Sequence, residues 1–271
     1  MSKEEIISKL KELTGKERII LTRRGNKALK FTLKALKAQK KVLIQDQGGW
    51  ITYPQYAEEL GFELVRLKTD YGIIEEEDLK KNLDCDCIVL VNSMPGYFAY
   101  ENMEKISKIA AEANAIVVND VSGSIGSGEA KFGDVIFGSF GRWKPLNVEY
   151  GGFIAVDEDL FKNVFGEMQS VFDDKWVPKL LEKLNRLNER IKFLKDAAAK
   201  VKKDLNDFSI IHSEAKGFNV VVKFSTEQEK EKILNYCSQN SLEYTECPRY
   251  IRVNDDAVCI EVKRKQEREG K

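Results

Sequence analysis

The sequence predicts an α/β protein: a mostly parallel central sheet flanked by helices, followed by a small C-terminal α/β domain. Three observations predict it. Short apolar runs alternate with amphipathic stretches along residues 1–157, as strands joined by helical crossovers do. After residue 157 a long leucine-spaced helix interrupts the alternation, and a shorter set of strands and a helix follows. The length of 271 residues suits one large domain and one small one. The expected division is 1–157 and 158–271.

The elements follow in order. Ile6, Ile7, Leu10 and Leu13 share one face of a helix over 3–14. TRRGNKALKFTLKAL is a glycine-containing turn running into a helix, and VLIQD (42–46) is a short apolar strand. YPQYAEELG reads as a helix closed by Gly61; FELVRL is the next strand and EEEDLKKNL the next helix. CIVLV (87–91) and AIVV (115–118) are strands on either side of the helix ENMEKISKIAAEA, and VIFGSF and GFIAV are further strands. Pro178 suits the first turn of a helix, where its missing N–H is not needed. Leu180, Leu184, Leu187, Ile191 and Leu194 continue that helix with a stripe that packs on a domain core rather than in a coiled coil. A strand in FNVVVKF, a helix in EQEKEKILNYCSQ and strands near YIRV and AVCIEV complete the small domain. The tail KRKQEREGK is charged and expected to fray.

Composition excludes several functions. Acids and bases balance at 44 each, so no global field favours nucleic acid or an acidic membrane. No apolar run approaches a membrane span, and MSKEEIISKLKEL puts charges where a signal peptide needs an apolar core. The expectation is a cytoplasmic protein acting on small molecules. The five cysteines form neither a disulfide framework nor a repeated metal-ligand pair. The single histidine, His212, reads as a structural residue at a strand end, and its isolation argues against Ser-His-Asp chemistry.

The chemistry concentrates in residues 139–152, SFGRWKPLNVEYGG, and in the upstream run AIVVND that ends at Asp120. An acid closing one strand and a lysine, Lys144, leaving a later one suit a pyridoxal phosphate (PLP) site. The lysine would hold the cofactor aldehyde as a Schiff base, and the carboxylate would keep the pyridine nitrogen protonated. The alternative is a surface lysine in a lysine-rich chain, against which the spacing and the upstream aspartate weigh.

The window resembles that of the DegT-type sugar aminotransferases, a group of fold-type I PLP enzymes whose members carry SFHxxKNxTxGEGG. It matches without a gap at Ser139, Phe140, Lys144, Gly151 and Gly152. The resemblance implies that Ser139 binds the cofactor phosphate and Lys144 carries the cofactor. RGNKAL (24–29) stands where the family has a Gly-Thr-Ser-Ala-Leu turn, which implies that Gly25, Asn26 and Lys27 help hold the phosphate at a helix N-terminus. Trp50 is at about the offset of the family's ring-stacking aromatic residue and equally suits a core plug. Asn92 in NSMPG is a candidate contact to the ring hydroxyl. Arg142, Arg249 and Arg252 are candidates for a substrate carboxylate, which a guanidinium fork matches bidentately.

There are departures. Gly141 replaces the family histidine, Ser122 and Gly123 stand near the family's polar ring contact, and Glu149-Tyr150 replaces Gly-Glu. The second half is also shorter than in typical members. The resemblance runs over residues 17–160 and implies an aminotransferase, built as a symmetric homodimer, that moves an amino group from an amino acid donor to a keto acid or keto sugar. Three alternatives stay open: a PLP-dependent lyase such as a desulfurase using Cys247 or a selenocysteine-synthase-like enzyme, a non-catalytic regulator or partner subunit of the same fold, and a doubly wound nucleotide-binding domain. The last lacks any GxGxxG or P-loop pattern.

Overall fold

Ser2 caps the first helix through the Glu5 N–H, and Gly15 ends it at φ 71°, a left-handed conformation that favours glycine. In this computed structural model, which describes residues 2–166 and 168–266, the elements after α1 (Lys3–Thr14) run as follows. The large sheet and its helices comprise β1 (Arg18–Thr22), α2 (Gly25–Ala35), β2 (Lys41–Gln45), α3 (Thr52–Glu59) and β3 (Glu63–Leu67). A hairpin of β4 (Thr69–Asp70) and β5 (Ile73–Ile74) precedes α4 (Glu76–Asn82), β6 (Cys87–Asn92), α5 (Met103–Glu112), β7 (Ile116–Asp120), β8 (Val135–Ser139) and β9 (Gly152–Val156). A helical turn, α6 (Glu158–Leu160), leads on to α7 (Val177–Asn185) and α8 (Leu187–Asp204). The chain then forms β10 (Val220–Lys223), α9 (Glu227–Gln239), β11 (Tyr244–Glu246) and β12 (Ala257–Ile260).

The expected fold class is the observed one. The large sheet has seven strands in the order β1-β9-β8-β7-β6-β2-β3. Strands β3, β2, β6, β7 and β8 are parallel, and β9 runs against both β8 and β1. β6 is buried at every residue, which is why it reads as a continuous apolar run rather than an alternating one. Alternate residues feed two cores. Val118, Leu90 and Ile44 pack under α2 and α3, whereas Val117, Val89 and Leu43 pack under α4 and α5.

The second sheet, β10-β12-β11, is antiparallel, with Ala198 and Val201 of α8 and Ile233 and Cys237 of α9 packed on it. Among the described residues no helix is long and apolar enough to cross a membrane.

β1 and the β4–β5 hairpin, to which no element expected from the sequence corresponds, take shape by pairing, β1 with β9 and β4 with β5. Four local expectations are corrected. The leucine-spaced helix is two helices that meet at Arg186. Leu180, Leu181, Leu184 and Leu187 pack with Ile6 and Leu10 on the large domain, whereas Val201 packs on the small sheet, so one stripe serves two surfaces. YIRV is not a strand. Its backbone closes a turn (Arg249 N–H to Val253 O, 2.7 Å) and gives the Tyr250 carbonyl to Gly48 N–H at 2.7 Å, and the third strand of the small sheet is β11 instead. The start of the charged tail is ordered: residues 262–264 form a helical turn with Val262 and Lys263 buried, while residues 267–271 lie outside the described residues. His212 sits in a turn at φ 49°, its ring stacked on Phe98 and its Nε2 2.9 Å from the Asp70 carbonyl.

Candidate active site

The parallel register sets Asn92 beside Asp120 and Asp120 beside Phe137, so β6, β7 and β8 end at one edge of the sheet. Crevices at that edge are where open α/β sheets bind ligands. A cavity of about 380 Å³ lies there, bounded by these strand ends, the start of α2, the 139–151 loop and the small domain.

The loop is anchored through its apolar residues. Phe140, Leu146 and Val148 are buried, and Phe140 stacks on Phe153 with ring centroids 5.6 Å apart. Trp143 and Glu149 take positive φ, which turns the chain out of the core and back again. Lys144 lines the cavity between two aromatic faces, its Nζ 5.2 Å from the Trp50 centroid and 4.8 Å from that of Tyr97. The amine also donates a hydrogen bond to the Tyr97 hydroxyl.

The first turn of α2 faces the same space and has no side-chain cap, so its N–H groups suit an anion. Gly25 is required here, because a Cβ would stand 2.4 Å from the Ser139 Cβ. Ser139 lines the cavity; its Oγ accepts the Gly141 N–H at 3.1 Å and its N–H donates to Ser122 Oγ at 2.9 Å. Asn26 also lines it and accepts the Trp50 Nε1–H at 3.0 Å, which ties the indole to α2. Lys27 is exposed and does not line the cavity.

Asp120 is held on both oxygens. Ser122 N–H donates to Oδ1 at 2.9 Å, and the Tyr53 hydroxyl donates to Oδ2 at 2.5 Å. Burial first, then the carboxylate itself, pushes the Tyr53 hydroxyl well above its usual range, so it stays a donor. Asn92 lines the cavity, but its amide serves the neighbouring loops: Nδ2 donates to Gly48 O at 2.8 Å, and Oδ1 accepts the Met94 N–H at 3.2 Å.

The small domain completes the wall with Ile251, Arg252, Lys263 and Arg264. Arg142 lines the cavity from an exposed position, paired with Glu149 at 3.2 Å, and Arg249 does not line it. Arg252 is buried against Glu261 at 2.6 Å. Burial alone would raise the Glu261 carboxyl, but Lys263 and Arg252 overcome it and hold it at about 2.

Sequence reasoning missed Tyr97, Trp143, Lys263 and Arg264. The one trace of Tyr97 in the sequence is Gly123, where a Cβ would stand 2.8 Å from Tyr97 Cε1. The tyrosine ring packs beside the backbone near which the family was expected to carry a polar side chain.

Comparisons with known proteins follow this geometry. Residues 2–172 match the DegT/DnrJ/EryC1/StrS aminotransferase family, and residues 182–268 match the MJ1341 family C-terminal domain. No curated protein matches the chain. Among solved structures, 3-amino-5-hydroxybenzoic acid synthase is similar over 96% of this chain and 85% of its own, at 14% identity and TM-score 0.76. SPT with PLP is similar over 95% and 70%, at 15% identity and TM-score 0.73. The cysteine desulfurase of Thermococcus onnurineus is similar over 95% and 77%, at 14% identity and TM-score 0.71. The shared fold is that of the fold-type I PLP enzymes.

Proposed function

The chain belongs to the DegT/DnrJ/EryC1/StrS aminotransferase family, and from that premise we propose that it is a PLP-dependent aminotransferase. It would move an amino group from an amino acid to a keto acid or keto sugar. One observation carries the reading: Lys144, Asp120, Ser139 and the start of α2, far apart in sequence, converge on one cavity. The residues fit PLP. Lys144 offers an amine for the aldehyde, Asp120 a carboxylate for the ring nitrogen, and Gly25 with Ser139 a cradle for the phosphate. Trp50 offers a face for the ring.

When bound, the cofactor supplies an electron sink that weakens the bond to the substrate α-proton. Lys144 Nζ is the base that takes up that proton, and the Tyr97 hydroxyl holds the amine in the cavity. Tyr53 and Ser122 hold both oxygens of Asp120, which fixes the orientation of its carboxyl group at the strand ends. Ser139 and the dipole of α2 bind the phosphate. Trp50 and Trp143 exclude water from the amine.

A desulfurase would need a thiol within reach of the substrate. Cys247 is buried, burial raises its thiol, and no cysteine of the described residues lines the cavity. The retained Lys144, Asp120 and Ser139 favour an enzyme over a non-catalytic subunit. All five cysteines are unpaired, which suits the reducing cytoplasm as its compartment.

The test is direct. The purified protein with added PLP is expected to show a visible cofactor band, and borohydride reduction followed by peptide mapping should label Lys144. A label on another lysine, or no band at saturating PLP, overturns the assignment.

A symmetric homodimer belongs to the same proposal. Ile51, next to Trp50, is 48% exposed, and Val171, in a groove shared with Tyr150, is 43% exposed. Both are apolar positions beside the cavity wall that a second copy would cover. Sedimentation should give a dimer; a monomer that still binds PLP tightly would count against it.

A further inference from the structure

The residue before the lysine is left open in the family window SFHxxKNxTxGEGG, and in this chain it is Trp143. Its backbone has φ 63°, in the left-handed region that an L residue adopts only at a cost. Such a conformation persists where its surroundings enforce it. Two contacts do so here. The Trp143 N–H donates to Asn147 Oδ1 at 3.0 Å, which closes the turn on itself. The indole faces the Arg264 guanidinium, whose central carbon lies 4.2 Å from the ring centroid.

Arg264 reaches the indole from the small domain. Its helical turn, residues 262–264, is fixed there by Val262, which is buried in the core that covers the second sheet. The guanidinium gives Nη1 to Glu243 at 2.7 Å. Its Nε is buried without a hydrogen bond among the described residues, 3.6 Å from Glu261. With the Arg264 side chain only 18% exposed, the negative face of the indole attracts the cation more strongly than it would at an open surface. Arg142, by contrast, is exposed, pairs with Glu149 and stands 5.8 Å from the Trp143 ring. The closer stack is the one that crosses between the domains.

We propose that Trp143 is a positioning residue for Lys144: the small domain, through Arg264, holds the indole and so sets the direction in which the lysine leaves its loop. The proposal rests on the reading of Lys144 as the cofactor lysine. Lys144 follows Trp143 directly, so relaxation of the Trp143 backbone swings the amine out of the space between Trp50 and Tyr97. A misplacement of about 1 Å slows a bond-forming step by a factor on the order of 10². Phe140, Leu146 and Val148 fix the loop to the large-domain core, whereas Trp143 ties it to the small domain. The lysine is thus aimed only while the small domain is docked and the cavity is walled.

The test follows two signals in the full chain: the rate at which the cofactor band appears after PLP is added, and amide hydrogen exchange of residues 141–149 without PLP. Arg264→Gln leaves the loop's own sequence intact. It should slow the band roughly tenfold or more and speed exchange of the loop amides by a similar factor, while the final band at saturating PLP is kept. Trp143→Ala should do the same. Trp143→Phe and Arg264→Lys, which keep a ring and a cation, should recover most of the loss. Wild-type rate and exchange in Arg264→Gln overturn the proposal, as does a lower melting temperature with neither signal changed. If Trp143→Ala does not fold, the two Arg264 variants still decide. If the wild type forms no band, the reading of Lys144 fails; faster loop exchange in Arg264→Gln then still supports the clamp on Trp143, and unchanged exchange overturns it.

Discussion

Lys144→Ala is expected to keep its fold and lose turnover by a factor on the order of 10⁴ or more, since the proposed reading makes the amine both nucleophile and base. The fold should survive because the loop is anchored by the buried Phe140, Leu146 and Val148, not by the half-buried Lys144. The variant should also lose the borohydride-fixed adduct while still taking up the cofactor reversibly through Ser139 and α2. Transfer rates with a panel of amino acid donors, alongside a thermal melt, measure both effects. Lys263 is the other lysine in this cavity, and it makes the experiment discriminating. Retention of more than roughly one-hundredth of the wild-type rate would mean that a second amine does the chemistry assigned to Lys144.

Asp120→Asn is expected to leave stability nearly unchanged and to lower turnover by a factor on the order of 10² to 10³. The structure explains why the two effects separate. In the wild type, Ser122 N–H and the Tyr53 hydroxyl donate to the two carboxylate oxygens. In the variant the amide oxygen can still accept from Ser122, and the amide NH₂ can donate to a Tyr53 hydroxyl rotated to accept. Both contacts to the side chain are kept, and only the Tyr53 hydroxyl proton loses its acceptor, so the fold loses little. The carboxylate at the ends of β6, β7 and β8 is lost, and with it the group proposed to keep the ring nitrogen protonated. A wild-type rate in Asp120→Asn would show that another acid serves the ring. A large drop in melting temperature would show that the charge itself holds this edge of the sheet together.

The two variants probe residues that the sequence places on either side of β8. Asp120 closes a strand because five residues of β7 pair in register with β6, and Lys144 follows a strand because Ser139 pairs with Gly152. Both positions are visible in short apolar runs, whose period reflects burial on both faces of a parallel sheet. Gly25 is visible for a related reason: the start of α2 approaches Ser139 so closely that only glycine fits. Lys27 and Arg249 show the limit of that reasoning. They stand one or two residues from ones that line the cavity and do not line it themselves, since neighbours along a helix or turn face different directions.

Local pattern determined the fold class, most of the strands and helices, and the placing of Asp120 and Lys144 after strands, while Ser139 stood out through the resemblance of its window to the DegT-type family. These depend on periodicity and on one contiguous window, which the chain carries without reference to its other parts. Only the tertiary structure decided the rest of the cavity. It bent the leucine stripe at Arg186 so that one helix pair serves two cores, and it turned YIRV into a loop whose backbone bonds to Gly48. It also drew Lys263 out of an apparently frayed tail and set it on Tyr97. The physical reason is that a buried charge is placed by what packs around it. Arg252, Glu261 and Tyr97 surround Lys263 only after the small domain has folded against the large one, and no spacing in the chain records that they meet.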